Sequence, residues 1–586
     1  MRLFEFKLSK DDGRKDIIAA PAFARMVVDG GPGTGKTATA CSRVAELIRS
    51  QNIPPPSILV ISFTRIAVRE IAERITRDIG EAVSVRIITL DSLAAFLSPE
   101  HDGADSHDDQ IRLALSGLPF SQQLSPIRHL IVDEAHDVVG IRADLVEALI
   151  AHLPPECGVT IFADDAQSIY DFADKSRTPK PSLPGRLVEA GMAQHSLTIL
   201  HRTHNPALTR LFTQGRNVVL SPRLTPKARH QKLNRALLRA APVIETLPIV
   251  IDQDDLLILF RYRADVVAAS QAMCEQGVAH RLRMSGLPPA IPAWIGLTLS
   301  SHQDPTLSRS RFFGYWDQKV DGTLHATLDP QQAWDRLFKT APLDNDVGIA
   351  KLREKLLQAS PPLDLCEPDL GFTGPTLGTI HASKGREAPS VILAHPKHLR
   401  RSPSDEETRV LFVGATRAKQ TLTLLTHHPA TPLVLPTGRL YTSDAQNPDH
   451  FRVEMGLDDD LLPTGLAGLS CFDTVSQVQK AQAILAELSS FPIRLDLDLN
   501  HIILFNNQYI AGHSSQLHYD IDALAPLMRL TPRPRQIFIL GLRTLVFHPE
   551  HYDALHSPWA QSGFIVAPII TGTCPMHFER ITPIKF

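Results

Sequence analysis

Residues 30–37 read GGPGTGKT, and this stretch decides the fold. An apolar run containing Met26, Val27 and Val28 leads into it, and Ala40, Val44, Leu47 and Ile48 recur behind it at spacings of three and four. The pattern predicts strand, glycine loop and helix, the context a phosphate-binding loop needs. Gly30 and Gly35 permit the tight turn that aims successive backbone N–H groups at one anion. The helix that follows adds the positive end of its dipole. The cradle comprises Gly31, Pro32, Gly33, Thr34, Gly35, Lys36, Thr37 and Ala38. Lys36 is expected to reach the β- and γ-phosphates of ATP, and the Thr37 hydroxyl to hold Mg2+.

Working outward, SILVISFTRIAVREIAERI (57–75) predicts a strand followed by a helix marked by Ile66, Ile71 and Ile75, and VRIITLDSL (85–93) a further short strand. HLIVDEAHD (129–137) and VTIFADDAQSIYDF (159–172) are apolar runs that end in carboxylates. Strands alternating with helices, with polar residues at each strand's carboxyl end, describe an α/β protein with a parallel sheet and a ligand crevice along one edge. Two adjacent acids closing a strand are often only a solvated turn. Behind a phosphate loop, Asp133 becomes a candidate metal ligand and Glu134 a candidate base for the attacking water. A second α/β set follows: 197–212, 255–277, 378–394 and 408–426 each predict strand and helix signals, interrupted at 286–371 by a stretch rich in Pro and Trp. Beyond 430 the texture changes to crowded prolines, a helix over 475–490 and short alternating runs.

A chain of 586 residues is too long for one core. Its formal charge of −3 gives no global sign of nucleic-acid binding, so any basic track must be a local patch. The cysteines at 41, 157, 274, 366, 471 and 574 lack CxxC spacing, which argues against a zinc site or a disulfide framework. The N-terminus is interrupted by charge and no apolar run approaches membrane-spanning length, so the expectation is a cytoplasmic protein without a membrane partner.

GGPGTGKT, SFTRIAV (62–68), TLDS (89–92), DEAHD (133–137), DDAQSIY (164–170), HRTH (201–204), TIHASKGRE (379–387) and VGATRA (413–418) occur in this order. The series resembles the successive motifs of the UvrD/Rep-like superfamily-one DNA helicases over roughly residues 8–428. DEAH alone suggests superfamily two, but QSIY and VGATRA fit superfamily one. The resemblance implies two RecA-like P-loop domains, at 1–195 (with a small insertion at about 98–126) and 196–428 (with an insertion at about 286–371); beyond them the changed texture predicts a separate C-terminal α+β module at 435–586. It implies that Gln167 senses the γ-phosphate, and that Arg202 and Arg417 reach it as arginine fingers from the second domain. Glu387 matches a position near the ribose and phosphates, and His201 the position of a base-stacking ring. Phe63, Thr64, Tyr170, Phe172 and His381 fall on nucleic-acid-contacting positions, where aromatic faces can stack on bases of any sequence.

Some residues depart from the pattern. The stretch 8–18 lacks the glutamine that reads adenine, and His201 stands where a tyrosine is usual. DEAHD replaces DEAQD, Asp91 a histidine, and Arg386 an apolar residue. The two insertions are shorter than those of full-length relatives. The expected function is an ATP-dependent translocase or helicase on single-stranded DNA, moving 3′ to 5′, with RNA as another possible track. The alternative is a nucleotide-gated regulatory or interaction subunit, with a protein partner on the C-terminal module.

Overall fold

The computed structural model describes residues 12–80, 84–98, 106–170, 181–248, 253–358, 360–396, 402–427, 432–443, 450–497, 502–506, 508–512, 517, 519–520, 523–524, 530–534 and 537–580. The chain divides into two compact units. The first comprises Met1–Ile244, Lys384–Leu393 and His398–Leu424, and the second Glu245–Ser383, Ala394–Lys397 and Leu425–Phe586.

In the first unit, β1 (Arg25–Gly30), β2 (Ile58–Ser62), β3 (Arg86–Thr89), β4 (His129–Val132), β5 (Gly158–Ala163) and β6 (Ala193–Leu197) form, among the described residues, one sheet of order β3-β2-β4-β5-β1-β6. Every pairing in it is parallel. Strands β2, β4 and β5 are buried along their whole length, as interior strands covered on both faces must be. Alternate residues serve opposite layers. Met26, Val28, Ile58 and Val60 share a core with Ala40, Val44 and Leu47 of the helix Lys36–Arg49. Val27, Leu59 and Ile61 join Leu145, Val146 and Leu149 of the helix Ile141–His152. Because β1, β4 and β5 are parallel neighbours, the loops that follow them gather at one rim of the sheet.

Arg43, fully buried, donates to the carbonyls of Ile18, Ala20 and Pro21 and so ties the helix Asp12–Ala19 to this unit. After β6 the chain runs as a loop to Asn205. The Asn205 side chain caps the helix Pro206–Val219 by accepting from the N–H groups of Ala207 and Leu208. The stretch 408–426 folds as the helix Asp405–Ala415 followed by the strand Ala418–His427.

In the second unit, Leu256–Phe260, Thr376–Thr379 and Arg281–Arg283 pair in parallel. The stretch 286–371 is largely helical, with Trp294, Phe312, Trp316 and Trp334 in mutual ring contact. These rings share one hydrophobic core with the strands beyond 433 and with the helix Val475–Ala486. The longest ladder in this strand-rich region pairs Ile537–Val546 antiparallel with Phe564–Arg580. The protein is thus mixed α/β with two parallel sheets and a strand-rich C-terminal region. Among the described residues, no helix is long and apolar enough to cross a membrane.

Candidate functional site

The loop after β1 turns through Gly33 and Gly35, at φ 75° and 87°, in the left-handed region where a side chain is strained. A Cβ on Gly33 would also lie 2.3 Å from the Cβ of Arg202, because the segment 200–202 packs directly on the loop. The His201 N–H donates to the Gly33 carbonyl at 2.8 Å. The loop folds around itself as well: Lys36 Nζ donates to the Gly30 carbonyl at 3.1 Å, and Thr34 Oγ1 to that of Gly31 at 2.9 Å.

Thr37 Oγ1 donates to Asp133 Oδ2 at 2.9 Å, so the two residues expected to hold a metal already touch. Asp133 is fully buried, and burial together with the neighbouring Glu134 pushes its carboxyl up to about 7. A hydroxyl and a carboxylate oxygen side by side make a hard-donor pair that fits Mg2+. Glu134 takes φ 54°, a conformation that costs a non-glycine residue about 1 kcal/mol or more. Burial opposes its ionisation, but Lys36, Lys384, Arg417 and Arg202 outweigh burial and hold its carboxyl below the usual range. All four cations therefore act on Glu134, and its buried Oε2 is hydrogen-bonded to none of them.

His136 lies behind this carboxylate. Its Nδ1 accepts the Asp164 N–H at 3.0 Å, which places the proton of the neutral ring on Nε2, 3.2 Å from Glu134 Oε2. Burial, Lys384 and Lys36 hold its pKa well below the usual histidine value. Glu134, His136 and Asp137 offer ligand atoms within 4.8 Å of one another. Lys384 is the cation among them: its ammonium pairs with Asp137 and donates to the Gln167 carbonyl at 2.6 Å.

After β5, Gln167 is held at both ends of its amide. Its Nε2 donates to Asp164 Oδ2 at 2.6 Å, and its Oε1 accepts from Arg417 Nη2 at 2.8 Å. Arg417 is buried, and burial with the nearby Arg202 lowers its pKa to about 10. Arg202 donates to the Thr416 carbonyl at 2.7 Å and pairs with Glu387, which also meets Lys419 at 3.3 Å. Lys36, Asp133, Glu134, Gln167, Arg202, Arg417 and Glu387 thus come together within the first unit.

The expected nucleic-acid residues divide. Phe63 and Tyr170 lie at the rim with ring centroids 5.2 Å apart, and Lys384 Nζ sits 5.3 Å from the Tyr170 ring. Phe63 also packs against the core. The Thr64 hydroxyl oxygen accepts from the Ala67 N–H as the cap of the helix Arg65–Ile79, so a structural task accounts for that atom. His381 follows the strand Thr376–Thr379 in the second unit. Phe172 lies outside the described residues.

Nothing in the sequence pattern marks Arg216, one of two arginines on the helix Pro206–Val219. Its guanidinium bridges Asp29 Oδ1 (2.5 Å), just before the phosphate loop, and Asp164 Oδ1 (2.9 Å). A Cβ on Gly31 would lie 3.0 Å from its Cδ. Asp29, Arg216, Asp164, Gln167 and Arg417 therefore form one uninterrupted polar chain. His136 and Lys384 lie within DEAHD and TIHASKGRE, and their parts follow from contacts made across loops distant in sequence.

Residues 14–112 match the UvrD/REP helicase N-terminal domain, and residues 376–425 the UvrD-like helicase C-terminal domain. The chain is 27% identical over 166 residues to a probable DNA helicase II homolog of Rickettsia felis and 31% identical over 166 residues to that of Rickettsia conorii. It is 26% identical over 167 residues to the DNA helicase II of Rickettsia typhi. Each match covers 25% of this chain and spans only 25% of the relative's length. Among solved structures, the Pif1 helicase from Candida albicans aligns at 12% identity and TM-score 0.34, over 71% of this chain and 94% of that one. The Pif1 helicase from Bacteroides in complex with ADP-AlF3 and ssDNA aligns at 13% identity and TM-score 0.34, over 72% and 93%. The chain carries a UvrD/REP-type N-terminal segment and a UvrD-like C-terminal segment.

Proposed function

We propose that this protein is an ATP-dependent DNA helicase-type motor that moves 3′ to 5′ on single-stranded DNA, with 1–195 and 196–428 as the motor segments and 435–586 as an added module. The observation that carries the reading is the cluster of Lys36, Arg202, Lys384 and Arg417 at one rim of the sheet, around Glu134, whose buried Oε2 lies 3.2 Å from His136 Nε2. Such an excess of cations at the carboxyl rim of a parallel sheet suits a polyphosphate.

Lys36 would leave the Gly30 carbonyl to neutralise the β- and γ-phosphates. Thr37 and Asp133 would hold Mg2+, which supplies further charge neutralisation when bound. Glu134, ionised at neutral pH, would orient the attacking water and take its proton, with His136 fixing the carboxylate from behind. Gln167 would place the same water and report the γ-phosphate to Arg417. Arg417 and Arg202 would exchange their present partners for the phosphoryl oxygens, where a guanidinium stabilises charge that develops only in the transition state. Phe63 and Tyr170 would stack on bases of the strand. Lys384 touches both the Tyr170 ring and the Gln167 carbonyl, so strand occupancy and water placement would share one side chain. The missing adenine-reading glutamine supports weak discrimination between ATP and GTP.

The test is steady-state ATPase activity with and without single-stranded DNA, single-stranded RNA and duplex. Stimulation by single-stranded DNA is expected. Hydrolysis indifferent to every nucleic acid would overturn the motor reading.

A further inference from the structure

Residues 190–244 contain no aspartate or glutamate, yet hold nine lysines and arginines in a chain of net charge −3. Three of these cations are engaged inside the fold: Arg202 with Glu387, Arg216 with Asp29 and Asp164, and Arg229 with Asp405. Arg210, Arg223, Lys227, Lys232, Arg235 and Arg239 are exposed and meet no carboxylate among the described residues.

Four of the six lie on the helix Pro226–Ala240, which buries His230, Leu233 and Leu237 on its other side. Lys227, Arg235 and Arg239 fall on one i,i+4 row, and Lys232 stands beside it. At about 1.5 Å per residue the row runs roughly 18 Å. Like charges three and four apart oppose a helix by about 0.2–0.5 kcal/mol per pair, so this pattern is held against local stability. A row of exposed cations without interleaved acids is the footprint of a polyanion.

The kind of polyanion follows from what else the face lacks. The only Phe, Tyr or Trp in 190–244 is Phe212, which is buried, so the face offers none of the large aromatic rings on which unpaired bases stack. A duplex asks for less, because its phosphates form a continuous track that cations alone can grip. We propose that the exposed face of the helix Pro226–Ala240, with Arg210 and Arg223 beside it, binds the sugar–phosphate backbone of duplex nucleic acid without reading its sequence. This surface is separate from the Phe63–Tyr170 rim and stands whether or not the motor reading holds.

The test is the binding of the full chain to a fluorescent blunt duplex, measured as log affinity against log salt. Each phosphate contact contributes about 0.9 to the slope on B-DNA. The triple variant Lys232→Gln, Arg235→Gln, Arg239→Gln should therefore flatten the slope by about 2–3 and weaken binding at 0.1 M salt about tenfold or more. Hydrolysis at saturating single-stranded DNA should stay at the wild-type value, which separates this site from the motor and shows that the variant is folded. A control with Lys351→Glu and Lys480→Glu, exposed in the other unit, should leave the slope unchanged. Wild-type protein that ignores duplex, a triple variant with the wild-type slope, or a control that flattens it equally would each overturn the proposal. Binding only of an acidic polypeptide would overturn it as well.

Discussion

Each unit buries an ionic network, and the two are finished to different degrees. In the second unit Arg439 is 1% exposed and uses four of its five donors. Nε reaches Asp520 at 2.6 Å, Nη1 reaches the Glu454 carbonyl at 2.8 Å and Asp460 Oδ2 at 3.1 Å, and Nη2 reaches Asp460 Oδ1 at 2.5 Å. Asp460 in turn accepts from the N–H groups of Gly456 and Leu457. In the first unit, cations crowd Glu134 while its Oε2 and the Nε of Arg202 are buried without hydrogen bonds. A closed network fixes strands to one another. An open one leaves charged groups dry and unmatched, an arrangement that a ligand can complete.

The largest expected effects separate the two networks directly. Glu134→Gln should lower turnover about 10²–10⁴-fold by removing the base, while nucleotide binding and thermal stability persist. Retained turnover, read in single-turnover hydrolysis, would remove Glu134 from that role. Arg439→Ala should do the reverse and cost about 3–5 kcal/mol of stability, because Asp460 and Asp520 would be left buried and uncompensated. Denaturant melts of both variants measure the contrast. If Arg439→Ala melted like wild type, the distinction between closed and open networks would fail.

A smaller effect is expected within the open network. Arg216 packs beside Gly31 but makes its hydrogen bonds to Asp29 and Asp164, and through Asp164 it would position Gln167. Arg216→Ala should lower kcat about ten- to a hundredfold with little change in KM, the mark of a misplaced group. Arg216→Lys should recover only part, since one ammonium cannot span both Asp29 and Asp164 as the planar fork does. A purely structural role would instead lower the melting temperature and leave kcat of the folded fraction intact.

What the sequence disclosed follows the same division. The phosphate loop, the acids after β4 and the polar end of β5 were legible because parallel strands write themselves as apolar runs that stop at chemistry. Arg216 was silent: its partners Asp29 and Asp164 lie 187 and 52 residues away, and helical periodicity says nothing of them. The same holds for Arg439 and Asp520, 81 residues apart. Thr64 is a different case, since a motif position with a hydroxyl also makes a good helix cap and its O–H can still donate. The shared core of 286–371 with the C-terminal strands was hidden for a plainer reason, because apolar residues announce burial without naming the partner they are buried against.

The smallest effect concerns Asp133, the carboxyl of the open network raised furthest toward neutrality. Asp133 is raised to about 7 by burial and by Glu134, against an unfolded value near 3.9. Below the unfolded value both states carry the proton and the folded state has no penalty. As pH rises toward and through 7, the unfolded chain ionises easily while the folded protein must form a buried carboxylate beside Glu134, so stability is lost. Asp133→Asn, which keeps the shape and cannot ionise, should therefore raise the melting temperature of the nucleotide-free protein by a few degrees at pH 8 and by almost nothing at pH 4. Adding Mg2+ with nucleotide should erase the advantage, because the wild-type carboxylate then gains a partner the amide cannot match. A melting temperature that Asp133→Asn lowers at pH 8 would mean that Asp133 is ionised there and that Lys36 and Thr37 already satisfy it. In that case the network of the first unit would be closed, like that around Arg439.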